Sequence, residues 1–511
     1  MGMWGSSRGL RNTSPTLNHR VCRGIRASIL AVVLVIANGF ALPAAHAADI
    51  CISVGNSAVI VTTGQSVEVE AGVGVDAGKL MVNGLQCSTR TLTNTDTVYW
   101  IIFDSSSLNE TLVVDLTNGP IGPGSTGEGS GTSEIEFDVN LGLGNDTVEI
   151  VGGSGDDHIV VGNTSGNDYI NFNAAEITDD ADITDLNGVE NLVLTGGDGN
   201  DTISAQGGEG TGSASARAIT YNAGPGVDTV LGGSAVDTIN GGDGRDNIDG
   251  GSANDVLNGD AGSDVLEGNS GSDALNGGGG QDLVNYNSSG AVTVNLSTGA
   301  ASGNHATGDT LSSIEDITGS PNADTLTGDN GPNLLSSSAG SDVVKGLGGD
   351  DSLLGRAGSD DLEGGDGNDS LSPGAGTTTS DSIDGGPGRD TANYSLSASA
   401  VTVDLAVVGN GNVDSTGNQN TVGGGSDDIV NLESIRGTFV NDILRGDGSD
   451  NYIFGWGGDD QIWGRAGNDG LAGGDANDTI RGEEGNDQME GGNGTDDCDG
   501  GAGVNEIWNC P

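Results

Sequence analysis

Aromatic side chains are scarce in this chain, at 3% of 511 residues. Any core must therefore be thin and aliphatic. Basic side chains are few against the acids: 16 Lys plus Arg face 74 Asp plus Glu, a formal net charge of -58. That excess excludes nucleic acid as a partner, because a polyanion is bound through a basic surface. With 10 prolines and no glycine at every third residue, the 95 glycines do not make a collagen. Beyond residue 47 only His158 and His305 remain, far apart in sequence, which leaves little general-base chemistry near neutral pH. There is no HExxH and no G-x-S-x-G elbow in a strand–turn–helix context. Carboxylate pairs can be drawn anywhere in so acidic a chain, so they single out no glycosidase. No catalytic residue is assigned. No stretch beyond residue 47 is apolar over the ~20 residues that a membrane span needs.

Glycine far above the ordinary ~7% and a one-sided charge also fit a disordered acidic chain, until the spacing is examined. Residues 1–47 differ from the rest. Arg8, Arg11, Arg20, Arg23 and Arg26 precede an apolar run from Ile29 to Leu42, and Pro43-Ala44-Ala45-His46-Ala47 follows. Basic, apolar and small-residue segments in that order predict a secretory signal peptide cut after Ala47, and hence a secreted protein. Cleavage would also remove Cys22, leaving Cys51, Cys87, Cys498 and Cys510. In an oxidising compartment, Cys51–Cys87 and Cys498–Cys510 is the obvious pairing, and two other pairings stay open.

The informative feature is a nine-residue repeat. From Gly232 six units begin at 232, 241, 250, 259, 268 and 277, as in GGDGRDNID and GGSANDVLN. Their sixth residues are Asp237, Asp246, Asp255, Asp264, Asp273 and Asp282; their eighth are all Ile, Leu or Val. A second run, 319–372, has Asp324, Asn333, Asp342, Asp351, Asp360 and Asp369 at the sixth position. A third, 437–499, has Asp442, Asn451, Asp460, Asp469, Asp478, Asp487 and Asp496, with Cys498 in an eighth position. The shared pattern is G-G-x-G-x-D-x-(aliphatic)-x. Irregular copies lie upstream at 141–149, 152–160, 196–204 and 223–231.

Each unit reads as a glycine turn followed by a three-residue strand. Glycine admits positive φ, and the two-residue side-chain period turns position eight inward and positions seven and nine outward. Two units make one 18-residue coil, and strands one coil apart pair in parallel. One aliphatic side chain per nine residues, at ~1.5–3 kcal/mol, does not offset ~1–2 kcal/mol of backbone entropy for each residue. Stacked sixth-position carboxylates also repel one another. Calcium meets both difficulties: it takes ~6–8 oxygen ligands and accepts backbone carbonyls beside carboxylates. Each ion would staple one unit to the second unit after it. Magnesium demands a stricter octahedron, and zinc wants sulfur or nitrogen ligands. Binding would then be coupled to folding.

These units resemble the RTX family of calcium-binding proteins, whose GGxGxDxUx nonapeptides form a parallel β-roll. The resemblance covers most of residues 141–511. It implies an all-β fold: a calcium-stapled parallel β-roll, or right-handed β-solenoid, interrupted by spacers and preceded by a small N-terminal β region. It implies several Ca²⁺ ions held by turn carbonyls and by the sixth-position aspartates, Asp237 through Asp496 as named above. Asn333 and Asn451 keep an oxygen but lack the charge, which predicts weaker sites. Members of the family often carry a toxin, lipase or protease domain ahead of the repeats, and none is recognisable here.

The expected organisation is a signal peptide at 1–47, an N-terminal β domain or cap at 48–140 and irregular repeats at 141–231. Repeat blocks then occupy 232–285, 319–372 and 437–499, with a spacer at 286–318, degenerate repeats and a spacer at 373–436, and a C-terminal cap at 500–511. The spacers resemble each other (NY…VTVNL…IEDITG and NY…VTVDL…LESIRG), and Ile314, Ile317, Leu432 and Ile435 are expected in the core. Cys498 should point inward, with Ile507 and Trp508 folding over the open end. The function expected is calcium binding by an exported structural repeat protein associated with a matrix or surface. An adhesin-like module for glycans or cell surfaces is the alternative, and a polysaccharide-modifying enzyme on a β scaffold the remoter one. Calcium ions are the expected partners, with an extracellular polymer or cell surface beside them.

Overall fold

The computed structural model describes the strands between residues 50 and 140. From 144 to 510 it describes all but 165, 172–182, 209–210, 375–379, 407–418 and 423–424. The expected signal peptide and Cys87 lie outside the described residues.

The nonapeptides fold as their pattern predicts. In block one the three-residue strands Asn247–Asp249, Val265–Glu267 and Leu283–Asn285 each bury only the middle residue. Those middle residues, Ile248, Leu266 and Val284, stand in parallel register one coil apart. On the opposite face Ile239, Leu257 and Leu275 form the matching column. All six are at most 1% exposed, so the core between the two sheets is a double file of aliphatic side chains. The register extends into the turns, where Gly242 pairs with Asp260 and then Gly278.

That tight stacking explains the fourth-position glycine. A Cβ on Gly262 would lie 1.3 Å from the carbonyl oxygen of Gly244, and one on Gly280 1.4 Å from that of Gly262. Outside the sheet, asparagines at the ninth position form a ladder: Asn258 Nδ2 donates to Asn240 Oδ1, and Asn240 Nδ2 to Asn222 Oδ1, both at 2.9 Å.

The spacers are absorbed into the roll asymmetrically. On one face the stacking runs straight through, from Leu283–Asn285 to Asp316–Thr318 and on to Leu334–Ser336. On the other, three strands stand where one would: Thr310–Ser312 continues from block one, Ala300–Ser302 runs antiparallel, and Thr293–Asn295 passes the stack to Thr325–Thr327. Val292, Val294, Ile314 and Ile317 are buried, as are Val401, Val403, Leu405, Leu432 and Ile435 in the second spacer. The same stacking extends upstream. Strand Val98–Phe103 pairs in parallel with Ile135–Asn140, and Thr111–Asn118 with Thr147–Val151.

At the C-terminus Cys498 and Cys510 are disulfide-bonded, and Cys498 packs partly buried against the core. The tail differs from expectation. Glu506–Trp508 adds one more parallel strand on Gln488–Glu490, so Ile507 rather than Trp508 closes its core column. Trp508, two positions along from Glu506 on the pleat, stands outward and is 48% exposed.

Candidate metal centres

Every sixth-position residue ends a turn and opens a strand. That placement brings the predicted aspartates together in two ladders. In each ladder the main-chain N–H of one aspartate donates to Oδ1 of the aspartate one coil on. Asp246 donates to Asp264 at 2.8 Å and Asp264 to Asp282 at 2.9 Å. Asp237 donates to Asp255 and Asp255 to Asp273, both at 2.7 Å. The same step links Asp324, Asp342 and Asp360, and also Asp351 with Asp369. It links Asp442, Asp460, Asp478 and Asp496, and also Asp469 with Asp487. None of these aspartates is more than 5% exposed.

The second oxygen divides them. In Asp246, Asp255, Asp264, Asp273 and Asp282, Oδ2 is buried with no hydrogen-bond partner. The same holds for Asp342, Asp351, Asp360, Asp369, Asp460, Asp469, Asp478, Asp487 and Asp496. In every unit that opens with glycine the oxygen points back at that glycine; a Cβ on Gly259 would meet Asp264 Oδ2 at 2.4 Å. A buried carboxylate oxygen without a partner is strongly unfavourable. A row of them at 18-residue intervals suits a row of cations.

Asp237, Asp324 and Asp442, the first of each block, are different. Their Oδ2 atoms accept the N–H of Gly233, Ser320 and Thr438, the second residue of the same unit. Asn333 and Asn451 are also satisfied internally. Asn333 Oδ1 accepts the N–H of Asp329 at 2.8 Å, and its Nδ2 donates to the Glu315 carbonyl at 2.7 Å. Asn451 repeats this with Asp447 and Glu433.

Several acids in the ladders lie outside the aspartates expected as ligands. Asp201, Asp228 and Asp390 carry the same open Oδ2. Asp201 and Asp228 sit in the irregular copies at 196–204 and 223–231, and Asp390 in a further copy, GGPGRDTAN. Glu315 and Glu433 take over from aspartate in the spacers, accepting the N–H of Asp282 and Asp390 at 2.9 Å. Asp309 accepts from Asp273, and its Oδ2 is capped by the buried Tyr286 hydroxyl at 3.0 Å. Tyr394 caps Asp427 Oδ2 likewise at 3.2 Å. The likeness of the two spacers sets Glu315 and Glu433 at matching positions, but only the stacking brings these acids into line.

Burial raises the carboxyl pKa of Asp255, Asp360 and Asp460, and neighbouring acids in the ladder add to this, while the N–H bonds oppose it. Asp255 and Asp360 are pushed up to about 7 and Asp460 to about 8. The proton is therefore the competitor of any cation here. Among the described residues no three His, Cys, Asp or Glu side chains converge as a metal cage. Each of these turns offers its buried sixth-position carboxylate, and backbone carbonyls lie beside it, a hard all-oxygen set with the character calcium prefers.

The fold and this geometry define a class: a repeat roll whose turns are built to be filled by a hard cation. The RTX calcium-binding nonapeptide repeat, in a pattern of four copies, matches residues 193–211, 222–257, 249–284, 318–353, 336–371, 345–380, 436–471 and 472–507. The chain belongs to that family, and it is a calcium-binding repeat protein. No curated protein matches it.

Proposed function

We propose that the calcium ligands are the sixth-position aspartates together with the carbonyls of the turns around them. Strong sites fall at the open carboxylates, Asp246 to Asp282, Asp342 to Asp369 and Asp460 to Asp496, with Asp201, Asp228 and Asp390 added. Asp237, Asp324 and Asp442 give weaker ones, because both their oxygens already accept hydrogen bonds. The single observation that carries this reading is the periodic row of unpartnered, buried Oδ2 atoms. Calcium would give each open oxygen a partner, relieve repulsion along the ladder and tie one coil to the next. The role is then that of an extracellular structural repeat protein, associated with a matrix polymer or a cell surface. The basic, apolar and small-residue order of residues 1–47 supports export. No helix among the described residues is long and apolar enough to cross a membrane. We assign residues 48–140 to the capping end of the stack, which a repeat array requires.

A calcium titration of the mature chain at pH 8, followed by far-UV circular dichroism and isothermal calorimetry, tests the reading. A gain of β signal with many ions bound per chain is expected. Superimposable spectra with and without calcium, or one or two ions per chain, would overturn it.

A further inference from the structure

Blocks one and two contain no aromatic residue at all, yet they form the same roll as block three. Block three and the tail carry Phe439, Tyr452, Phe454, Trp456, Trp463 and Trp508. The roll does not need them, and they do not serve its core: Phe439 is 63% exposed, and Tyr452 and Trp508 are each 48% exposed. Basic residues gather in the same place. Arg436 lies over the Trp456 ring at 5.8 Å and Arg389 over Tyr452 at 4.7 Å. In a chain this acidic and this poor in aromatics, the gathering of all of these except Trp463 on one surface asks for a use beyond folding.

The surface has a shape. Arg436, Phe454, Ala472, Glu490 and Trp508 form one outward column in consecutive coils. Beside it Trp456 stands in register with Gly474 and Gly492. Because the two coils after Trp456 offer only small side chains, a groove of about 500 Å³ opens there. Its wall is the aromatic cluster, with Trp456 centred 5.1 Å from both Phe439 and Phe454. Its floor is Ala472, Gly474 and Gly492. Its rim is polar: Asn493 Nδ2 donates to Asp475 Oδ1 at 2.8 Å, and Asn509 Nδ2 to Glu490 Oε1 at 3.0 Å.

We propose that this groove is a binding site for a neutral pyranose glycan. The face of an aromatic ring is electronegative and attracts the partly positive C–H face of a sugar ring. The amide–carboxylate pairs across the groove offer donors and acceptors side by side, the complement of vicinal hydroxyls. An acidic polysaccharide or a nucleic acid would meet Asp475 and Glu490 as like charges. A wholly apolar peptide would leave those same polar groups without partners. The inference rests on the calcium-folded roll, since the coils that carry the groove are those of the Asp460–Asp496 ladder.

Trp456 supplies a clean test. It occupies the second position of its unit with φ 82°, where Gly474 and Gly492 have φ 118° and 107°. Trp456→Gly therefore suits the backbone and restores the repeat pattern. The mature chain in saturating calcium is titrated with neutral β-linked gluco-, xylo- and manno-oligosaccharides and with an oligogalacturonate, and followed by tryptophan fluorescence and calorimetry. At least one neutral oligosaccharide should bind. Trp456→Gly should weaken it at least tenfold with an unchanged far-UV spectrum, while Trp463→Ala, outside the groove, should leave binding intact. No neutral oligosaccharide bound, binding of the acidic one alone, or undiminished binding by Trp456→Gly would overturn the proposal. A spectrum already rich in β structure without calcium would count against the calcium reading only, and the glycan titration would still decide this one.

Discussion

The main-chain N–H of Asp246 donates to Oδ1 of Asp264, one coil later, while Asp264 Oδ2 stays buried and unpartnered. One carboxylate thus does two jobs: one oxygen fixes the stacking of the coils and the other is left for a cation. Asp264→Asn keeps an oxygen for the first job and loses the charge for the second. The calcium midpoint of folding should rise, and the calcium stoichiometry should fall. Glu267→Gln, at the outward ninth position of the same unit, removes an equal charge from a carboxylate that lies outside the ladder and is held by Asn285 and Ser288, and should move the midpoint less than about twofold. Midpoints measured at one ionic strength decide this, and equal shifts would mean that position six is no ligand.

Asn333 and Asn451 give the converse experiment. In each the amide nitrogen donates to the carbonyl of a spacer glutamate, Glu315 or Glu433, so an N–H stands where a cation would otherwise bridge. Asn333→Asp removes that donor and leaves a buried carboxylate facing a carbonyl. In calcium the variant should bind about one more ion per chain by elemental analysis, as a new oxygen-rich site. In chelator it should be less stable than the parent. An unchanged stoichiometry would show that the asparagine turns are already filled.

The metal-free chain should prefer acid. Burial, reinforced by neighbouring acids, raises the folded-state pKa of Asp255 and Asp360 to about 7 and of Asp460 to about 8, from 3.8. The folded state therefore holds more protons than the unfolded one, and stability falls with rising pH across that interval. The contribution is complete below pH 3.8 and lost as pH climbs through about 6 to 8. In chelator, β signal present near pH 5 should fade by pH 8. In calcium the order reverses, because the ion must displace the proton, so the calcium midpoint should drop as pH rises. A flat profile in chelator would contradict protonated ladders.

The Cys498–Cys510 bridge closes a loop across 12 residues at the end of the array. A loop of that size is worth roughly 3 kcal/mol in the chain-entropy model. Its effect should be local, because each coil contacts only its neighbours. Reduction in calcium should speed amide exchange in Gln488–Asn493 and Glu506–Trp508 and leave Val256–Gly262 unchanged. Uniform acceleration along the chain would mean that the roll unfolds as one unit instead.

The sequence by itself determined the repeating unit. A glycine turn, an acid at position six and an aliphatic residue at position eight dictate turn, strand and inward column locally, so Ile248, Leu266 and Val284 could be placed in the core by counting. The bridge from Cys498 was legible for the same reason, since its frame position already aimed it inward. What counting could not reach was anything that depends on which coil lies next to which. Glu315 and Glu433 join the ladders only because the spacers are absorbed on one face of the roll and expanded on the other. Tyr286 caps Asp309 from 23 residues away. Whether a carboxylate oxygen is open, as in Asp264, or capped, as in Asp442, depends on the N–H direction of the second residue in its turn. The groove beside Trp456 likewise exists because residues 18 and 36 positions later are glycines. Local chemistry fixed the unit; stacking, which turns sequence distance into contact, decided which units need an ion and which surface is left to bind something else.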